Sequence, residues 1–398
     1  MSRMNHQDTG VTRSQTVDTV IQELEAALGA SCVSTDPGEL LAASHGTWPV
    51  EAKLERLGRL RSQTPRCIAS VASATEVGAV LGIAARHQVP VLPLGGASGI
   101  VGAFRTAPGA ISLNLRGLKR FDLDPVSMTA WVGAGVTVQQ FEDSVQEQGF
   151  TSGHYPQSMR LATIGGMVAT NGAGTFSTKY GRMRDMVQGL EVVLADGRCI
   201  TTHLGPDAST GPDLNHLFIG AEGTLGVIVA ARLQVWPAPA CRLMTAYAIP
   251  SPERGLEALR QIVVQGLRPA LVRLYDEAEA EGLWRAVDAP PGAGLLIIGQ
   301  DGRADVTELE MRICREILKG MGVEHAGDAV ANHWFAHRFD WVRIPEWNDR
   351  AGGIADAIEV SAPWSRLPAV WNATREAIAP LCARVESHVS HIYHVGGS

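Results

Sequence analysis

No apolar run in this 398-residue chain approaches the ~20 consecutive residues that a membrane-spanning helix needs. The opening "MSRMNHQDTGVTRSQ" is polar and lacks the apolar core of a secretory signal, so a cytoplasmic location is expected. Basic residues form no stripe. The formal net charge is -7 with acids and bases interspersed, which argues against a nucleic-acid partner. The six cysteines (Cys32, Cys67, Cys199, Cys241, Cys314 and Cys382) include no Cys-x-x-Cys pair. No metal site is read from them, and scattered thiols fit a reducing compartment. The Gly-x-x-x-x-Gly-Lys-Ser/Thr signature is absent, which disfavours a P-loop nucleotidase.

What remains is an ordinary soluble composition, 45% hydrophobic and 19% charged, on a chain long enough for two domains. Val17, Ile21, Leu24 and Leu28 recur at helical spacing before Gly29. "SATEVGAVLGIAARHQ" opens with a capping box, Ser73 to Glu76. Strands are expected at "VPVLPL", at 111–115 and at 129–133, and a helix over "TVQQFEDSVQEQG". Asp196-Gly197 marks a hairpin. "GVIVAARLQVW" is a further strand, and the prolines of "WPAPA" at 236–240 mark the main boundary. Beyond it helix and strand alternate: "ERGLEALRQIVVQG", "PALVRLYD", "EAEAEGLWRAV", "GLLIIGQ" and "DVTELEMRICREILKGMG".

Three glycine-rich loops stand beside strands in the first part. They are Gly95, Gly96, Gly99 and Gly102; Gly165, Gly166, Gly172, Gly174 and Gly181; and Gly220, Gly223 and Gly226. Such loops allow close backbone approach and make nests for anions. Three in one domain favour a single large phosphorylated ligand. Gly133-Ala134-Gly135 lies between strand and helix like a dinucleotide fingerprint, but Val138 stands where its third glycine belongs, so a plain turn is preferred.

"PLGGASG", "GHYPQSMRLATIGGMVATNGAGTFSTKYG" and "GAEGTLGVI" resemble, in order and spacing, the three FAD-contacting segments of the vanillyl-alcohol-oxidase-type flavoproteins. "KYGRMRDMVQGLEVVLADG", "VRLYD", "VSAPWSRL" and "SHVSHIYHVGG" are most similar to alkyldihydroxyacetonephosphate (alkylglycerone-phosphate) synthase and its bacterial relatives. The glycolate and D-lactate dehydrogenase branch is the near neighbour. The resemblance implies an α+β chain. Residues 1–30 would be an N-terminal helical segment and 31–240 a two-subdomain FAD-binding domain of the p-cresol-methylhydroxylase (PCMH) type. Residues 241–398 would be an α+β cap, an antiparallel sheet with helices. Pro93, Leu94, Gly95, Gly96, Ala97, Ser98 and Gly99 would wrap the FAD pyrophosphate. Gln157, Ser158, Met159, Arg160, Leu161, Ala162 and Thr163, with Thr170, Asn171, Gly172 and Ala173, would line the flavin and ribityl side. Glu222, Gly223, Thr224, Leu225, Gly226, Val227 and Ile228 would complete the site near the adenosine half. Asn171 stands where the family often has a basic residue. The first loop holds Ala97 and Ser98 and no His or Cys, so FAD is expected to be non-covalent.

Arg273 in "VRLYD" resembles an arginine needed for activity in the synthase, where a guanidinium can clamp a phosphate or carboxylate. His388 matches the place of a substrate-binding arginine, and a histidine there weakens the case for a phosphate. His391 is given a structural role, because on a strand it points away from His388 and His394. Trp334, Trp341, Trp347 and Trp364 are read as core. The synthase carries its catalytic tyrosine and a histidine cluster beyond this strand, so the cap is expected to be truncated at the C-terminus, with exposed apolar surface and slow or absent turnover. The implied function is an FAD-dependent oxidoreductase acting on a small acidic or phosphorylated molecule. The alternatives are a D-2-hydroxy acid dehydrogenase, a catalytically incomplete FAD-binding fragment, or a nicotinamide enzyme using Gly133-Ala134-Gly135. A homodimer is compatible with this reading, and the electron acceptor is left open.

Overall fold

The Ser73 hydroxyl accepts the Glu76 N–H at 3.2 Å while the Glu76 carboxylate takes the Ser73 N–H at 3.2 Å. This reciprocal cap starts the helix Ala74–His87, whose buried face is Val77, Val80, Ile83 and Ala84. The computed structural model describes residues 11–61, 63–202, 205, 209–287, 294–340 and 356–392. Ala74–His87 covers a four-stranded sheet in which Cys67–Ser70, Ile111–Asn114 and Val91–Leu94 run parallel, with Val33–Ser34 antiparallel at one edge. The N-terminal helix Val11–Leu28 adds Val20 and Leu24 to the same core, with Ile21 and Leu28 only partly buried. Of the expected stripe, Leu24 is fully buried and Ile21 and Leu28 pack against the core beside it, with Val20 added from the next position.

A second sheet is wholly antiparallel, in the order Phe121–Asp124, Thr129–Gly133, Val227–Gln234, Val187–Val193, Cys199–Thr201. Gly197, at φ 85°, makes the tight turn between its last two members. The short pair Trp236–Pro237 with Phe150–Thr151 carries the chain off this sheet.

Cys241–Ile249 then opens a third, antiparallel sheet, ordered Glu324–Gly327, Cys241–Ile249, Gly294–Gly302, Leu271–Tyr275, His388–Val389. Its two faces have different partners. Val272, Leu274, Leu296, Ile298 and Val389 pack into an outer layer with helices Pro252–Val264 and Ala304–Gly320. Leu271, Tyr275, Leu295 and Ile297 belong instead to a core continuous with Phe141, Phe176, Tyr180 and Leu190 of the preceding domain. Strand alternation puts Arg273 on that second face, between Leu271 and Tyr275. The cap thus presents Arg273 to the neighbouring domain, as it does Arg242, whose guanidinium lies 4.6 Å from the Phe176 ring centre. His394 and Gly396-Gly397-Ser398, like Trp341 and Trp347, lie outside the described residues. Among the described residues no helix is long and apolar enough to cross a membrane.

Candidate active site

The loop after Val91–Leu94 is built from backbone. Among the described residues, none of the N–H groups from Gly96 to Ile100 finds an acceptor. Five successive unspent donors at the end of a parallel strand form a nest of the kind that holds phosphate oxygens. Ala97 lies at φ 50°, and Arg116 Nε donates to Gly95 O at 2.8 Å. The glycines have a role beyond leaving room for a ligand. A Cβ on Gly95 would sit 2.4 Å from Thr163 Oγ1, and one on Gly96 would sit 2.0 Å from Leu161 O. Only Gly99 of this group has open space around it. Gly95 and Gly96 are thus needed so that the first segment can lie directly against the second.

The second segment turns through Gln157–Thr163 and enters the short helix Ile164–Ala169. Met159, Ala162 and Thr163 are buried, while Gln157, Arg160 and Leu161 are exposed and Ser158 half-buried. The third segment is hung from that helix. Gly220 and Glu222 donate their N–H groups to Val168 O and Ala169 O, and a Cβ on Gly223 would lie 3.1 Å from Pro93. Asn171 and Glu222 both lie at φ 50°. With Ala97, each of the three segments holds one non-glycine residue in the left-handed region, a conformation that persists only when its surroundings enforce it. Asn171 tolerates it well, and its Oδ1 accepts the Arg184 N–H at 3.1 Å. Thr170, Gly172 and Ala173 continue that loop, and Thr224, Leu225 and Gly226 the third. Val227 and Ile228 are strand residues paired with Val193 and Val192 and buried in the core. Gly133-Ala134-Gly135 is spent on protein contacts: a Cβ on either glycine would lie under 2.5 Å from the carbonyl of Leu118 or Leu115.

A second group of polar side chains gathers where the cap meets this domain. Arg273 is 6% exposed; its Nη1 donates to Val272 O at 3.0 Å and to Ser390 O, and its guanidinium lies 5.2 Å from the Trp334 ring centre. Trp334, read from sequence as core, is buried and also stacks under this cation. Burial raises the Tyr275 hydroxyl well above the ordinary tyrosine range, with Arg273 opposing. His391 is half-buried, and its imidazole is pushed well below the usual range by burial first and then by the Arg273 guanidinium. His388 stands at the rim. Its Nδ1 is 2.9 Å from Glu279 Oε2 and its ring 5.5 Å from that of Tyr275. His154 is 1% exposed and has no hydrogen-bond partner on either ring nitrogen among the described residues. Nothing in the period or charge of "GHYPQS" signals His154; only its burial in the folded chain does. Beside this group, Asp301 fastens the domains together. It pairs with Lys179 at 3.0 Å and Arg242 at 3.2 Å and accepts from Tyr180 at 2.9 Å.

Two family models match in series: "FAD binding domain" over residues 65–203 and "FAD linked oxidases, C-terminal domain" over residues 239–397. The chain belongs to the FAD-linked oxidases. It is 28% identical over 392 residues to the uncharacterised FAD-linked oxidoreductase YgcU of Escherichia coli K12, covering 95% of this chain and 80% of that protein. It is 38% identical over 199 residues to a D-lactate dehydrogenase of Archaeoglobus fulgidus, which covers 49% of this chain and 43% of that protein. Among solved structures, an alkyldihydroxyacetonephosphate synthase superposes with a TM-score of 0.82 at 23% identity, over 100% of this chain and 76% of that one. The fold is the α+β arrangement of that synthase and of the PCMH-type oxidases.

FAD is the cofactor of this FAD-linked oxidase. The residues present fit it. The run of unspent N–H groups suits a pyrophosphate, and the three segments meet through contacts that glycine alone permits. Among the described residues no group of three or more His, Cys, Asp and Glu is placed to hold a metal ion.

Proposed function

We propose that this FAD-linked oxidase binds FAD without a covalent bond and oxidises a small molecule whose acidic group is held by Arg273. Within the family we place it nearest the alkylglycerone-phosphate synthase type. The position of Arg273 supports this reading most directly. It is a buried guanidinium on the one cap face turned toward the FAD-binding domain. Burying a charge is costly and is retained where the charge has work to do. Its planar fork matches a carboxylate or a phosphate.

Bound FAD supplies the redox chemistry, taking up the electrons that the substrate gives. The chain supplies the rest. Gly96 to Ile100 would hold the pyrophosphate by backbone, so the cofactor is fixed by a rigid framework. Ala97 and Ser98 offer no nucleophile for attachment in this loop. Arg273 orients the substrate, and Trp334 and Tyr275 keep water from the guanidinium.

A second reading, a D-2-hydroxy acid dehydrogenase, is favoured by His388. Its Nδ1 lies against the Glu279 carboxylate, whereas a phosphate dianion draws more than one cation. A panel of small carboxylic acids and phosphate esters, added anaerobically to the FAD-loaded protein, tests both. Bleaching of the flavin by one class and loss of that bleaching in Arg273→Lys support the reading. Bleaching unaffected by the substitution refutes it.

A further inference from the structure

Residues 43–51 lie far ahead of the first glycine loop in sequence and directly against it in space. Thr106 donates its N–H to Ser44 O and its hydroxyl to Ala43 O, both at 3.2 Å. His45 and Arg105 form a single antiparallel bridge. Ala43 is buried with Ile68 and Leu94, and Ala97 and Phe104 of the loop pack against this small cluster. Gly102, at φ 69°, lies so close to the Trp48 ring that a Cβ would approach it to 2.7 Å. Past Trp48 the helix Pro49–Arg56 begins, and it carries the buried Glu51. Glu51 is 2% exposed. Its Oε1 pairs with Arg105 Nε at 3.3 Å, and its Oε2 has no hydrogen-bond partner among the described residues.

A half-met buried charge adds little to stability, because desolvation offsets the attraction. It does fix one register between two segments, and that register matters at Gly46. A Cβ there would sit 3.0 Å from Gly99 O and 3.2 Å from Ala97 O, so both carbonyls lie on the side of residues 43–51. In a trans peptide the C=O and the following N–H point in opposite directions. The N–H groups of Ser98 and Ile100 are therefore turned away from residues 43–51, and both belong to the unspent donors of the nest. Ala97 itself is held at φ 50°, a conformation that persists only when its surroundings enforce it. Resting on the reading that Gly96 to Ile100 hold the FAD pyrophosphate, we infer that residues 43–51 are a strap that aims those donors. Gly46 sets the spacing, and the Glu51–Arg105 pair locks the strap in place. Both Gly46 and Glu51 are positioning residues, acting on the cofactor through the loop.

The test follows FAD release from the holoprotein by the rise of flavin fluorescence and reads the phosphorus-31 resonances of bound FAD by NMR. Glu51→Ala leaves Arg105, an exposed side chain, free to turn to water, so the fold tolerates the change. It should release FAD at least about fivefold faster than wild type, the scale of a lost hydrogen bond to a charged group. Glu51→Gln keeps an acceptor for Arg105 and should fall between the two. Glu51→Ala and Gly46→Ala should each shift a phosphorus resonance of bound FAD, with flavin absorbance unchanged. Should Gly46→Ala fail to fold, the two Glu51 variants decide alone. Faster release with unmoved phosphorus resonances overturns the inference, because residues 43–51 would then support the fold and not the donors. Gly99→Ala, whose Cβ has open space, alters the nest directly. Resonances that move in Gly99→Ala alone, with release at the wild-type rate in the other variants, overturn the strap and leave the nest standing. Resonances that move in no variant overturn both.

Discussion

In the proposed function the cofactor cradle and the cap junction meet the same demand, holding an anion, with different parts of the chain. In the cradle the side chains are withdrawn. Gly95, Gly96 and Gly223 bring three segments into contact, and the N–H groups from Gly96 to Ile100 have no acceptor among the described residues. At the junction side chains take over: Arg273 lies buried against the Trp334 ring, and His388 stands at the rim against the Glu279 carboxylate. A backbone site is fixed once the fold forms and carries no titratable group. A side-chain site depends on domain docking, on burial and on pH. The first suits a resident cofactor and the second a substrate that must be told from its neighbours.

The contrast breaks most severely at Gly96. Gly96→Val places its Cβ within 2.0 Å of the Leu161 carbonyl. The cost should exceed the about 1–3 kcal/mol typical of overpacking, because a backbone atom cannot step aside. Purified variant should carry no FAD by absorbance. Gly99→Ala, in the same loop but with open space around it, should keep its FAD. Asp301→Ala comes next. It strands the Lys179 and Arg242 charges around a carboxylate that is 2% exposed, and about 3–5 kcal/mol of stability should be lost in urea unfolding.

Acid should then act on the junction and spare the cradle. His154 is held neutral in the folded chain and titrates at its ordinary value when unfolded. Between about pH 6.5 and about 3 the unfolded state binds the extra proton, so stability falls as pH falls. The slope is about 1.4 kcal/mol per pH unit for this residue. Urea unfolding at pH 5.5 and 4.5 should show that loss in wild type and a smaller one in His154→Phe. The smallest effect belongs to the scaffold. Ser73→Ala removes one half of a capping box and should cost about 1 kcal/mol with FAD content unchanged.

The cradle is legible in the sequence because backbone sites leave glycines behind, and three glycine loops beside strands cannot be mistaken for a helix face. The capping box at Ser73, the Asp196-Gly197 turn and the strand carrying Arg273 are legible for the same reason: each rests on local chemistry. The packing between loops is not. The sequence suggests that Gly96 makes room for phosphate, whereas its Cβ space is filled by Leu161, a residue 65 positions away along the chain. Asn171 reads as a missing charge and is a left-handed residue whose Oδ1 accepts the Arg184 N–H. His154 is silent in the sequence because its burial arises only in the folded chain.

The most direct measurement combines both sites in one cuvette. FAD-loaded wild type and Arg273→Ala are mixed anaerobically with the acid that reduces the wild-type flavin, and the flavin absorbance is followed with time. Both proteins should hold equal FAD, since the cradle is independent of the cap arginine. Wild type should bleach, and the variant should bleach slower by a factor corresponding to about 2–5 kcal/mol. Equal bleaching rates, or a variant that has lost its FAD, would contradict the division of labour between backbone cradle and side-chain junction.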